Sequence, residues 1–324
     1  MSLETFAMPV TKELEAVEKV LAAKLTSDVP LINQVVSYII QNGGKRLRPL
    51  LTLLSAKLSG FQGEAAIHLA AAMEMIHTAS LLHDDVVDDA GLRRGKTSTK
   101  AKWGNSISVL VGDFFWCKMS QIIVSHGCLR TLKVVTDTIT TTTEAEILEI
   151  TKHSDFSVDE EVYLKVIGGK TAVLLSACCQ IGAILGGVSE IFEEGMKRYG
   201  YDLGIAFQLS DDILDYESEE EKFGKHKGGD LREGKLTLPL IVALRNADVD
   251  EAQIIKDALL AGRMETDQLK RVLEIIHRYD GIAESRKLAK KYVARAKEHL
   301  SHFKPSLEKE SLMALADYVI ERDE

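Results

Sequence analysis

The chain has 324 residues, of which 45% are hydrophobic, 27% charged and only 6% aromatic. That apolar share over that length excludes a disordered protein and suffices to bury a large core. The 40 Lys+Arg against 49 Asp+Glu leave a formal net charge of -9. A general nucleic-acid coat is therefore excluded, because neutralising phosphates needs a basic surplus.

The opening MSLETFAMPVTKELEAVEKV has no basic stretch leading into an apolar one, and the first arginine is Arg46. No secretory or transit signal is read here, and a cytoplasmic location is expected. Prolines at 9, 30, 49, 239 and 305 leave a long proline-free middle, and Pro30, Pro49 and Pro239 precede or open apolar-periodic runs, as proline at a first helical position does. Glycines break the chain at Gly43-Gly44, Gly60, Gly91, Gly168-Gly169, Gly186-Gly187 and across Gly224 to Gly234. Between them lie runs with helical period, such as Glu64 to Asp89 with Ile67, Ala71, Met75, Leu82 and Val86. No strand series and no low-complexity linker interrupts them. One all-α domain over 1–324 is expected.

Thr171 to Val188 carries no charge but is rich in Ala, Ser, Cys and Gly, which fits a small-residue helix packed inside a bundle better than a membrane span. No integral membrane span is expected. The stretch from Glu284 to His299 holds Arg286, Lys287, Lys290, Lys291, Arg295 and Lys297, and reads as a solvated basic helix face. Cys117, Cys128, Cys178 and Cys179 form no CxxC pair and read as buried free thiols.

Two acidic ladders stand out: Asp84-Asp85-Val-Val-Asp88 and Asp211-Asp212-Ile-Leu-Asp215. Positions i and i+4 share a helix face, so Asp84 and Asp88 point one way, as do Asp211 and Asp215. Like charges one turn apart repel, and those of the first ladder also sit near a helix C-terminus, where the macrodipole disfavours anions. Apolar neighbours make lone carboxylates costlier still. A hard divalent cation relieves all three penalties, and an oxygen-only donor set points to Mg²⁺ rather than zinc. Because Mg²⁺ completes its shell with water and phosphate oxygens, the implied partner is a phosphorylated substrate.

Basic groups adjoin these ladders. Lys45, Arg46 and Arg48 sit where one helix ends and the next begins, an anion site through both charge and free backbone N–H groups. Arg93-Arg94 follows the first ladder, and Gly168-Gly169-Lys170-Thr171 is expected to open a helix in the same way. Lys225 and Lys235 lie in the glycine-rich stretch after the second ladder. His77 stands two turns before Asp84 on the same stripe.

Together these segments resemble the trans-isoprenyl diphosphate synthases, the polyprenyl synthetase family. The matching text is GGKRLRP at 43–49, EMIHTASLLHDDVVDDAGLRRG at 74–95, GNSISVLVGDF at 104–114, GGKTA at 168–172, FQLSDDILDY at 207–216 and GKHKGGDLREGKLTLPL at 224–240. The resemblance implies a single-domain helical bundle around a deep central cavity, usually a homodimer. It implies condensation of isopentenyl diphosphate head to tail onto an allylic diphosphate, with three Mg²⁺ per active site. Carried over by position, Lys45, Arg48, His77 and Arg94 would hold isopentenyl diphosphate, and Asp84, Asp88 and Asp211 would ligate the metal. Asp85, Asp212 and Asp215 would support them. Arg93, Lys170, Lys225 and Lys235 would contact the allylic diphosphate, with Thr171 and Gln208 beside the reacting carbon.

Members of the family that stop at farnesyl length commonly carry a bulky aromatic residue four or five positions before the first aspartate. Here those positions are Ser80 and Ala79. Ser80 lies one turn above Asp84 on its face, so a small side chain leaves the path along the helix open. The resemblance is strongest to bacterial members making octaprenyl-length chains for quinone side chains. The cavity floor is expected deeper, near Thr138 to Leu148. A geranylgeranyl or farnesyl synthase is the alternative. A terpene cyclase would not need Lys45, Arg48 and His77, and a non-catalytic subunit would lack intact ladders.

Overall fold

The computed structural model describes residues 3–93, 95–217, 229–260 and 266–321. In chain order the helices are α1 (Leu3–Ala7), α2 (Thr11–Lys24), α3 (Pro30–Gln41), α4 (Leu47–Leu58), α5 (Ala65–Val87), α6 (Thr99–Trp103), α7 (Asn105–His126) and α8 (Leu129–Thr151). They continue with α9 (Glu160–Ile167), α10 (Val173–Gly186), α11 (Glu190–Glu217), α12 (Gly229–Arg232), α13 (Leu238–Asn246), α14 (Val249–Leu260), α15 (Thr266–Arg278), α16 (Gly281–His299) and α17 (Leu307–Glu321). Among the described residues the only strand pairing is a small hairpin, Leu92–Arg93 against Lys96–Thr97, with Leu92 opposite Thr97. The expected all-α class holds. Pro30 and Pro239 stand in the first turns of α3 and α13, where the missing N–H costs nothing.

Contacts divide the chain into two compact units: 1–137, 174–200 and 300–315 form the first, and 138–173, 201–299 and 316–324 the second. The divisions at 137/138, 200/201 and 315/316 fall inside α8, α11 and α17.

In the first unit α5 is the central rod. It is apolar all round, as a helix packed on several sides must be, and Ala70, Ala71, Ala72, Met73 and Met75 are fully buried. Residues 174–186 of α10 pack on α4 through glycine: a Cβ on Gly182 would come within 2.5 Å of the Ser55 Cβ. That close seat explains the small-residue composition of the uncharged segment. Two thiols, Cys178 and Cys179, are buried as expected, whereas Cys117 and Cys128 are exposed, which corrects the reading of four buried thiols. Cys117 lies on α7 and Cys128 in the link before α8, elements that show much of their surface to solvent.

Among the described residues, two apolar clusters lie in the second unit. One gathers Ile213, Tyr216, Leu240, Ile255, Val272 and Ile276. The other gathers Tyr163, Ile167, Ala172, Ile205, Leu209 and Ile241. The basic helix at the C-terminal side is α16, which buries Ile282, Ala289 and Val293 and exposes Lys287, Lys290 and Lys291.

Gly168-Gly169 does not open a helix. α9 passes through a π-helical turn at Gly168–Ala172 straight into α10, a continuous rod from Glu160 to Gly186. The glycines serve packing instead. A Cβ on Gly168 would meet the Tyr201 hydroxyl at 2.4 Å, and one on Gly169 the Ala145 Cβ at 2.5 Å. Lys170 and Thr171 therefore sit mid-helix, without the free N–H groups of a helix start. Such π turns recur at functional sites because the extra residue redirects side chains.

Among the described residues, three helical segments are long and apolar enough to cross a membrane by length and composition: Ala65–Val87, Asn105–His126 and Glu160–Gly186. Of their most apolar windows, 61%, 39% and 67% are buried inside the protein.

Candidate active site

The first ladder occupies the last turn of α5, with Asp88 as its C-cap residue. Asp84 is half-buried, Asp88 exposed and Asp85 buried. The Asp88 N–H donates to the Asp84 carbonyl at 2.8 Å, closing the last turn so that both side chains share a face. Asp85 points elsewhere and forms an ion pair with Arg93, carried back over it by the hairpin. Burial pushes the Asp85 carboxyl up, and the Arg93 guanidinium pulls it back down.

A cavity in the first unit is lined by His77, Asp85 and Arg93 together with Asn42, Gly43 and Arg46. It thus collects three of the residues expected at the site. Asp84, Asp88, Lys45, Arg48, Ala79 and Ser80 are not in its lining. Lys45 is exposed and Arg48 half-buried in the first turn of α4. Ala79 is buried, and the Ser80 hydroxyl donates to the His77 carbonyl at 2.9 Å. Arg94 lies outside the described residues.

The second unit holds its own cavity, lined by Lys170, Thr171, Gln208, Asp212 and Lys235 among others. One hydrogen-bonded chain links most of these. The Thr171 hydroxyl donates to Gln208 Oε1 at 2.8 Å, and Gln208 Nε2 donates to Asp212 Oδ1 at 2.8 Å. The Tyr163 hydroxyl donates to the other oxygen, Asp212 Oδ2, at 2.6 Å. Burial pushes the Asp212 carboxyl up to about 7, the charges of Asp211 and Asp215 add to the shift, and the two donors oppose it. A carboxylate this buried is held in place from both sides, which makes Asp212 a fixed support beside half-buried Asp211.

Lys170 Nζ lies 2.8 Å from Glu146 and 2.5 Å from Glu149, both on α8. Burial would lower its pKa, but the two carboxylates win and raise it, so the ammonium stays charged. Asp215 is occupied structurally. Its Oδ1 accepts the Gly229 N–H and its Oδ2 the Asp230 N–H, both at 3.1 Å, capping α12. Lys235 pairs with Glu233 at 2.8 Å. Lys225 lies outside the described residues.

Sequence reasoning missed Tyr163, Glu146, Glu149 and Asp230. Asp230 is half-buried beside Asp212 and Asp215, and desolvation and their charges drive its carboxyl well above the ordinary range. Its signal was present in GGDLREGK, where an aspartate follows two glycines at a helix start. Glu146 and Glu149 form an i, i+3 acidic pair on one face of α8, but nothing local says which lysine they meet.

Among the described residues no group of three or more His, Cys, Asp or Glu side chains converges tightly enough to hold a metal by itself. A pair of carboxylates on one helix face fits Mg²⁺, which takes one or two carboxylates and fills the rest of its shell with water and phosphate oxygens. Asp84 and Asp88 present such a pair on one face of α5.

The sequence profile described as Polyprenyl synthetase matches residues 29–276. The chain belongs to the polyprenyl synthetase family. It is 39% identical to the octaprenyl diphosphate synthase of Escherichia coli (strain K12) over 323 residues, covering 100% of both chains. A polyprenyl synthase from Caulobacter crescentus, crystallised with calcium and isoprenyl diphosphate, superposes with a TM-score of 0.95 at 36% identity, over 100% of this chain and 98% of that one. A decaprenyl diphosphate synthase from Rhodobacter capsulatus also gives 0.95 at 36% identity, over 99% of both chains. Both ladders of this synthetase lie inside the matched span, as do the cavity residues His77, Arg93, Lys170 and Lys235. Polyprenyl synthetases use isoprenyl diphosphates and a divalent cation, which is the chemistry the acidic ladders call for.

Proposed function

We propose that this synthetase condenses isopentenyl diphosphate onto an allylic diphosphate, with farnesyl diphosphate as starter, and builds an all-trans chain of octaprenyl length for a quinone side chain. The observation that carries the reading is that each unit pairs an aspartate ladder on a helix with a cavity bearing cations. In this reading Lys45, Arg48, His77 and Arg94 bind isopentenyl diphosphate. Asp84, Asp88 and Asp211 would hold the three Mg²⁺. Arg93, Lys170, Lys225 and Lys235 bind the allylic diphosphate, and Thr171 and Gln208 flank the reacting carbon.

Bound Mg²⁺ would supply Lewis-acid stabilisation of the charge that builds on the departing diphosphate. The lysines and arginines add preorganised positive charge to the same oxygens. Lys170 stays protonated under the influence of Glu146 and Glu149, so it acts as a fixed cation and not as a base. The Tyr163–Asp212–Gln208–Thr171 chain holds the Thr171 oxygen in one orientation, with its proton committed to Gln208. That leaves a lone pair free to face a developing allylic cation. Attack by the double bond of isopentenyl diphosphate and loss of a proton to released diphosphate complete the step. No protein nucleophile is required.

The same reading takes 1–324 as one catalytic domain, supported by helices α8, α11 and α17 that each belong to both units. It takes the protein as a cytoplasmic homodimer without a membrane span. Exposed Leu110, Val124 and Leu129 on α7 and α8 offer the apolar surface that a second copy would cover.

The deciding experiment incubates the purified protein with labelled isopentenyl diphosphate, farnesyl diphosphate and Mg²⁺, with an EDTA control, and resolves the dephosphorylated products by length. A Mg²⁺-dependent ladder ending near octaprenyl supports the reading. A stop at geranylgeranyl length keeps the reaction and overturns the chain length, and no incorporation overturns both. Ser80→Phe should stop growth at about three or four isoprene units, since a phenyl ring one turn above Asp84 obstructs that face of α5. An unchanged product distribution would show that the chain takes another path.

A further inference from the structure

Arg46 is the one cation of the Lys45-Arg46-Leu47-Arg48 segment that the proposed diphosphate site does not use, and it has an unusual backbone. Its φ of 50 and ψ of 35 put a non-glycine residue in the left-handed region, immediately before α4 begins at Leu47. Such a conformation persists only where the surroundings hold it. The surroundings here are two carboxylates. Arg46 Nε and NH2 reach the two oxygens of Glu18 on α2 at 2.5 and 3.2 Å, and NH1 reaches Glu74 Oε1 on α5 at 3.1 Å. Glu74 is 4% exposed, its second oxygen is buried without a hydrogen-bond partner, and it lines the same cavity as His77 and Arg93. A carboxylate so buried needs a cation, and Arg46 supplies it.

Resting on the proposed isopentenyl diphosphate site, we infer that Arg46 is a positioning residue: its bridge to Glu18 and Glu74 fixes the 42–48 turn, and with it the directions of Lys45 and Arg48. The guanidinium fork suits this role. Its bidentate contact with Glu18 fixes orientation as well as distance, which a lysine ammonium would not do. The turn is thereby tied to α2 and α5 at once, and α5 also carries His77 and the first ladder. The alternative role, direct contact of Arg46 with the diphosphate, predicts the opposite response when Glu18 is neutralised, because a released Arg46 would then bind the anion better.

The test varies each substrate separately for Glu18→Gln, Arg46→Lys and Arg46→Gly. Glu18 is 43% exposed, so Glu18→Gln should fold normally, which circular dichroism checks. Arg46→Gly keeps the left-handed turn permissible but removes the bridge, and so separates backbone preference from side-chain clamping. Misplaced binding groups can cost one to two orders of magnitude, so the KM for isopentenyl diphosphate should rise about tenfold or more in each variant. The KM for the allylic substrate should stay within about twofold, because Lys45 and Arg48 do not serve that diphosphate. An unchanged or lowered KM for isopentenyl diphosphate in Glu18→Gln overturns the inference, as does an equal rise for both substrates. If the wild-type protein shows no condensation, the functional reading has failed separately. Calorimetric binding of inorganic pyrophosphate then decides: weaker binding by Glu18→Gln supports the clamp and equal binding overturns it.

Discussion

Asp84→Ala should lower kcat by about 10³-fold or more at saturating Mg²⁺, because a lost metal ligand removes several kcal/mol of transition-state stabilisation and each 1.36 kcal/mol is a factor of ten. The fold should be indifferent to the change. Asp84 is half-buried on the last turn of α5, one turn from Asp88. Removing it relieves a like-charge pair worth about 0.2–0.5 kcal/mol and an unfavourable dipole contact of about 0.3–1 kcal/mol. The melting temperature of the metal-free protein should therefore stay level or rise slightly while turnover collapses. That divergence separates a ligand from a packing residue. Turnover within tenfold of the parent would remove Asp84 from the metal site.

Gly204→Val should do the reverse, harming the fold first and the reaction through it. A Cβ at Gly204 would stand 2.4 Å from the Ala172 Cα and 2.9 Å from the Ala172 Cβ, so α11 and the π turn already touch there. Replacing glycine within a helix gains roughly 0.5 kcal/mol of propensity. Overpacking against backbone costs about 1–3 kcal/mol or more, so the clash wins. A net loss near 2 kcal/mol lowers the melting temperature by about 5 °C, at 2–4 °C per kcal/mol for a unit this size. Gln208 stands one turn beyond Gly204, and Thr171 is the neighbour of Ala172. Pushing the helices apart lengthens the 2.8 Å Thr171–Gln208 hydrogen bond and draws Asp212 away from the Tyr163 hydroxyl, its donor on α9. Thermal melting and kcat should fall together, with Gly204→Ala intermediate. A Gly204→Val protein as stable as the parent would mean that the two helices have room to spare.

Much of this was readable before any coordinates. The helical class and the limits of α5 followed from apolar period and glycine breaks, since periodicity records which side chains are buried. The acidic ladders were conspicuous because carboxylates stacked one turn apart on two apolar helices conflict with folding alone. Thr171 and Gln208, placed together by resemblance, are hydrogen-bonded in the structure. Gly168-Gly169 misled because glycine has two uses, ending helices and letting them touch, and local sequence does not distinguish them. Arg46 was grouped with Lys45 and Arg48 because its partners, Glu18 and Glu74, are each 28 residues away. That Asp215 also caps α12 was hidden, because seeing it requires knowing where Gly229 returns. Each of these contacts is set by tertiary packing, on which local pattern is silent.

The division of the four thiols has a practical consequence for watching this protein unfold. Cys117, Cys128, Cys178 and Cys179 all belong to the first unit, and the second unit has none. Two are open to reagent, while burial raises the pKa of Cys178 and Cys179 and keeps them protonated and unreactive. Thiol chemistry therefore serves as a built-in clock for one half of the chain: a fast pair marks native protein, and the slow pair marks each opening of the α4–α10 seam. Paired with a spectroscopic signal from the whole molecule, that clock tells whether the two units melt as one.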